Sequence, residues 1–213
     1  NRPVTAQMMA DILSSHYEGT RDCCAHFGPG LSPHDASSIR YICTGTTLES
    51  DLFILRDKPE LTTVMSSFGR PCQLPYIALH PLLAQPKALD PMADAGARMD
   101  AHLCPEGGAS CWRDTPWWRM RAFETQAEML FSAVTDDLRA LLRRMLDQGL
   151  QGDAQLCEKL AALLRDGREA EARALAEQAD ESALVAALQT LEDHARADFM
   201  AVRLSLPTRL AAC

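Results

Sequence analysis

From Trp118 onward, apolar residues recur at every third or fourth position: Phe123, Ala127, Leu130, Val134, Leu138, Leu141 and Met145. At 3.6 residues per turn these positions share one face, so the stripe is that of a long amphipathic helix. It commits the later part of the chain to helical packing. Gly149 and Gly152 read as the end of this helix, with Asp153 capping the next one. That second helix carries Leu156, Leu160, Leu163 and Leu164 and is expected to stop at Asp166-Gly167. A third helix is expected over "REAEARALAEQA", and a fourth from Ser182 to about Val202. Acidic and basic residues mix on the outer faces, the ordinary mark of solvation.

The first part reads differently, and the chain divides into a mixed region (1–117) and a helical region (118–213). A short amphipathic helix is expected over Thr5 to Ser15, with Met8, Met9, Ile12 and Leu13 at helical spacing. A loop rich in Gly, Pro, His and Asp follows from Tyr17 to Asp35. Strand-like runs cover Ser38–Cys43, Asp51–Arg56 and Leu61–Ser67, the last two joined by "RDKP" as an antiparallel hairpin. "FGRPCQLPYIALHPLLAQP" holds four prolines and reads as irregular and partly buried.

The totals remove several functions. A net charge of −8 argues against nucleic acid, because phosphate binding needs a basic face. No run approaches the roughly 18 apolar residues of a membrane helix. Eight cysteines at irregular positions, in a chain of 213 residues that is 47% hydrophobic, suit free thiols in a cytoplasmic protein better than a disulfide scaffold. The chain begins at Asn1, and the expectation is that its natural N-terminus has been removed.

Three constellations could carry chemistry. "CCAH" (Cys23 to His26), with His16, His34 and Cys43 nearby, and a second group of His102, Cys104 and Cys111, have donor types that suit zinc. Neither shows the two ligand pairs of a structural zinc motif, so no metal is expected. Cys43 and Cys72 are conceivable nucleophiles, but no elbow or partnered histidine announces them, and buried packing is the better reading. Arg40 opens the stretch "SSIRYICTGTTLESDLFILR". An arginine there can bind a substrate carboxylate in bidentate fashion or steady an oxyanion, or it can pair with Asp35 or Glu49 on the surface.

"MMADILSSHYEGT", "SSIRYICTGTTLESDLFILR", "FGRPCQLPYIALHPLL" and "WWRMRAFETQ" follow one another in the order and approximate spacing of the later part of the cysteine-type N-terminal-nucleophile dipeptidases. The chain resembles that family, which includes the secernins, from about Ala6 to Gln126. The resemblance implies an α+β fold: part of an αββα sandwich of antiparallel strands, followed here by a helical C-terminal region. It implies hydrolysis of dipeptides through an acyl-enzyme on an N-terminal cysteine whose own α-amino group is the base. In the family that cysteine lies upstream of the "MMADILSSHYEGT" type of segment, so it is expected outside this chain, which alone would be inactive. Arg40 then falls near the catalytic centre, and Thr47, Glu49 and Ser50 match the pattern as residues that line or brace the substrate site. No cofactor is implied. The expected partners are a short peptide substrate, the missing N-terminal portion, and further copies of the chain in a homo-oligomer. The alternative is a non-catalytic helical module for interaction or oligomerisation.

Overall fold

The computed structural model describes residues 3–22, 32–35, 40–84 and 116–201. Helix α1 (Ala6–Leu13) starts where Thr5 Oγ1 accepts the Met8 N–H at 3.1 Å. It ends at Ser14, whose N–H bonds Ala10 O at 3.0 Å. Tyr17 then takes a left-handed backbone (φ 59°) and turns the chain away.

Strands β1 (Ser50–Ile54), β2 (Thr63–Ser67) and β3 (Ile77–Leu79) form an antiparallel sheet in the order β1-β2-β3. The expected hairpin is present, with Ser50 opposite Ser67 and Ile54 opposite Thr63. Its connection is longer than "RDKP" and includes a 3-10 turn at Pro59–Leu61. The strand expected over Ser38–Cys43 is not seen. Residues 40–43 are irregular, residues 38 and 39 lie outside the described residues, and the Cys43 N–H bonds Ser15 O at 3.3 Å instead of a strand partner. Strand β3 lies inside the proline-rich segment, between Pro75 and Pro81, and occupies a sheet edge, where prolines are tolerated.

The helices are α2 (Pro116–Met129), α3 (Phe131–Arg165) and α4 (Glu169–His194), the last running into a π-helical turn at Ala195–Phe199. The first helix therefore breaks at Leu130 and not at Gly149. Gly149 lies inside α3, where an added Cβ would make only an ordinary 3.4 Å contact with Met65 Cε of β2, so neither the turn nor the packing requires glycine there. Asp153, expected as a cap, is buried within α3 and bonds across to the sheet side. Gly167 (φ 73°) follows α3, as its sequence position suggested. The expected third and fourth helices are one continuous helix, α4.

Alternation along β2 puts Thr63, Met65 and Ser67 on one face, all fully buried. There Met65 packs with Leu52, Tyr76, Ala10 of α1 and Leu146 of α3. The main helical core joins Met120, Phe123, Val134, Leu138, Leu184 and Leu188 to Leu74 and Ile77 of the sheet region. At β1 the opposite face is bare: Phe53 is 65% exposed, and Leu55, just beyond the strand, 78%. The described residues thus form a mixed α+β structure with a small antiparallel sheet laid against helices.

Candidate functional site

Four side chains from four segments converge beside the sheet. His16 follows the end of α1, and His34 sits on the 3-10 turn Pro33–Asp35. Cys43 lies in the irregular segment before β1, and Cys72 in the turn between β2 and β3. One donor atom from each residue lies within 4.8 Å of the other three. The two Nε2 atoms are 3.1 Å apart, and the two Sγ atoms 3.4 Å apart. His34 Nε2 lies 3.4 Å from Cys72 Sγ and 3.8 Å from Cys43 Sγ. His16 and Cys43 are wholly buried (0% exposed).

The histidines are held from behind by carboxylates. Glu128 of α2 accepts a hydrogen bond from His34 Nδ1 at 2.8 Å and from Gln73 Nε2 at 2.5 Å, and pairs with Arg70 at 3.3 Å. Glu18 Oε1 lies 3.4 Å from His16 Nδ1, within ion-pair range but outside good hydrogen-bond alignment. Its other oxygen accepts the His16 backbone N–H at 2.9 Å. Burial opposes both carboxylates, yet their histidine contacts prevail and hold Glu128 and Glu18 at about 2. The shared hydrogen bond with Cys72, then His16 and His34, pull the Cys43 thiol to about 3 against burial. Burial and the neighbouring Cys43 push Cys72 the other way. Phe131 packs edge-on to both imidazoles, 5.9 Å from His16 and 5.7 Å from His34, and Tyr41 lies 5.6 Å from His16. Imidazole and thiolate together could hold a soft divalent metal.

Sequence reasoning grouped His16, His34 and Cys43 with "CCAH" but left out Cys72. Cys23, Cys24, His26, His102, Cys104 and Cys111 lie outside the described residues. Arg40 is exposed, its carbonyl accepts the Tyr17 hydroxyl at 3.0 Å, and its guanidinium makes no ion pair among the described residues. Thr47 closes a small turn with Thr44, its Oγ1 accepting the Thr44 N–H at 3.1 Å. Ser50 bonds the Tyr76 hydroxyl at 2.8 Å. Glu49 is exposed, and partial burial and Asp51 raise its carboxyl. Among the described residues no hydrogen bond or ion pair joins these four to one another.

A second buried polar group had no sequence signal. His80 Nε2 lies 3.1 Å from Asp153 Oδ1, and Thr63 Oγ1 donates to the same oxygen at 2.7 Å. Asp153 Oδ2 pairs with Arg56, and Asp180 takes the other side of His80. Burial alone would lower His80, but Asp153, Asp180 and Cys157 outweigh it and raise it to about 11. The group is a charge-balanced tie with both ring nitrogens and both Asp153 oxygens engaged, which leaves it little to offer a metal. It borders a cavity of about 370 Å³, largely apolar, between β3, α3 and α4.

No protein-family model, curated protein or solved structure matches the chain.

Proposed function

We propose that the chain is the C-terminal part of a cysteine-type N-terminal-nucleophile dipeptidase, which hydrolyses the peptide bond of dipeptides. A cysteine outside this chain is the nucleophile, and this portion supplies sheet strands and covering helices. The carrying observation is the β1–β2 hairpin within the segment that bears the family-like motifs: helices cover one face, while Phe53 and Leu55 stand uncovered on the other at β1. An αββα sandwich needs that asymmetry, because each sheet has helices on one face and the second sheet on the other.

The thiols support the same reading. Of the three described free cysteines, Cys43 and Cys157 are buried and so not presented to a substrate as an attacking nucleophile must be, while Cys72 is half-buried. Free thiols also fit the cytoplasmic location that belongs to this proposal. Among the described residues no helix is long and apolar enough to cross a membrane.

The test is hydrolysis of a panel of unblocked dipeptides by this chain and by the chain with its native upstream sequence restored. Activity in the longer form only, abolished by a thiol alkylator, is the expected result. Inactivity of both would remove the proposal and favour the helical interaction module, for which Met129 and Val185 on α2 and α4 offer exposed apolar contacts.

A further inference from the structure

We infer that His16, His34, Cys43 and Cys72 form a closed, tetrahedral Zn²⁺ site that fastens the end of α1, the 33–35 turn and the segment before β1 to the β2–β3 turn.

The spacing of the donors carries the inference. Zinc binds thiolate sulfur at about 2.3 Å and imidazole nitrogen at about 2.0–2.1 Å, so a regular tetrahedron has edges of about 3.8 Å between sulfurs, about 3.3 Å between nitrogens and about 3.5 Å between sulfur and nitrogen. The structure gives 3.4 Å between the sulfurs, 3.1 Å between the nitrogens, and 3.4 and 3.8 Å from His34 to the two sulfurs. Four of the six edges of the donor set thus fall near tetrahedral values, and the other two lie within 4.8 Å.

Proton placement points the same way. Glu128 can only accept, so His34 Nδ1 carries the proton in their 2.8 Å hydrogen bond, and in the neutral ring Nε2 is a bare lone pair. His16 also points Nε2 into the cluster, while its Nδ1 lies 3.4 Å from Glu18 without a hydrogen bond to fix the tautomer. With His34 Nε2 unprotonated, the 3.1 Å approach of the two nitrogens needs either a proton on His16 Nε2 or a cation held between both rings, and the two sulfurs beside them favour the cation. Carboxylates behind metal-binding histidines do this work in known sites, fixing the tautomer and strengthening the ligand. Two thiolates and one Zn²⁺ also sum to zero, which suits a buried position.

Two other uses of these residues fit less well. Cys43, His34 and Glu128 could be read as a nucleophile, base and orienting acid, but Cys43 is wholly buried with its sulfur 3.4 Å from Cys72 Sγ, which leaves no open approach to it. A Cys43–Cys72 disulfide would need the sulfurs at about 2.05 Å, well inside their 3.4 Å separation. The ligand set is complete without water, as in structural zinc sites.

The test begins with elemental analysis of protein purified from zinc-supplemented medium, where one zinc per chain is expected. Replacement by Co²⁺ should give the intense visible bands of a tetrahedral thiolate site. Cys72→Ser and His34→Ala should lose the metal, Glu128→Gln should weaken binding by about 10- to 100-fold, and Cys157→Ser should keep it. The double variant Cys23→Ser/Cys24→Ser should also keep it. His16→Cys retains four donors and should strengthen the sulfur-to-cobalt charge-transfer band. Should the ligand-loss variants fail to fold, the Co²⁺ spectrum of the unaltered protein and the fall of its Tm in chelator still decide. A metal-free protein whose Tm is indifferent to chelator and which takes up no Co²⁺ overturns the inference. So does zinc that survives Cys72→Ser but leaves with Cys23 and Cys24, or a Cys43–Cys72 disulfide in the purified protein.

Discussion

His80 and Asp180, 100 positions apart in the chain, meet through two hydrogen bonds: ring Nδ1 to Oδ1 at 2.7 Å and backbone N–H to Oδ2 at 2.8 Å. Asp153 takes the opposite ring nitrogen, so one imidazole ties β3 to both α3 and α4. The tie is buried, and its two acids are balanced by His80 and Arg56.

This arrangement sets a pH dependence. His80 is raised from 6.5 to about 11 in the folded protein, so its contribution to stability is fully present below pH 6.5. It should fade as pH rises from there and vanish through about 11. The surrounding groups are Asp153, Asp180, Arg56 and Cys157. Thermal melts from pH 6 to 10 should show a decline in the unaltered protein that is largely absent in His80→Gln. Parallel declines in both would remove His80 as the cause.

Removing one partner should cost more than removing a surface charge. Asp153→Ala leaves His80 and Arg56 facing each other with no anion between them, and takes the acceptor from Thr63. A loss of about 3–5 kcal/mol is expected, the usual consequence of stranding a buried charge. Urea unfolding measures it, with Glu171→Ala on the exposed side of α4 as a comparison expected to change stability far less, since its pair with Arg168 is solvent-screened.

Two glycines should respond in opposite ways to alanine. Gly69 has φ 155°, and an added Cβ would lie 2.7 Å from Leu74 Cδ1 and 2.8 Å from Glu124 Oε1. Glu124 is pinned by the Arg70 N–H at 2.8 Å and Arg70 Nε at 2.9 Å, so it cannot retreat, and Gly69→Ala should lose about 2 kcal/mol or more. Gly149→Ala meets only the end of the Met65 side chain at 3.4 Å, while alanine gains roughly 1 kcal/mol of helix propensity. It should be neutral or mildly stabilising by the same urea measurement.

The bare face of β1 should govern association. Phe53→Lys or Leu55→Lys removes apolar surface that touches no core, so stability should change by less than about 0.5 kcal/mol. Sedimentation at several protein concentrations should show less self-association in the variants. Unchanged association would move the contact to the helices.

The hairpin was legible because a short apolar run from Leu52 to Leu55 lies between Asp51 and Arg56, and a turn sequence separates it from the next strand. Helical periodicity was equally plain from Phe123 to Met145. Gly149 misled because a glycine after an apolar stripe carries the signature of a helix end, yet a helix interior tolerates glycine at a cost of about 1 kcal/mol. The donor cluster was illegible for a different reason. Its residues come one from each of four segments, with no paired spacing, so Cys72 could be weighed as a lone nucleophile but not joined to donors 29 to 56 positions away. Arg40, singled out from a motif, carries no local signal of the environment it ends in.

Glu128 reaches back 94 positions to hold His34, and Asp153 reaches back 97 to hold Arg56. The early segments are therefore braced by helices made much later, and a ribosome that has released only the sheet and its turns presents strands without their supports. Contacts of such long range close slowly, because the chain must give up the freedom of a large loop before any bond forms in return. Assembly should accordingly wait for the final helices, and the interval before their arrival is when the nascent chain most needs protection from its own uncovered strands.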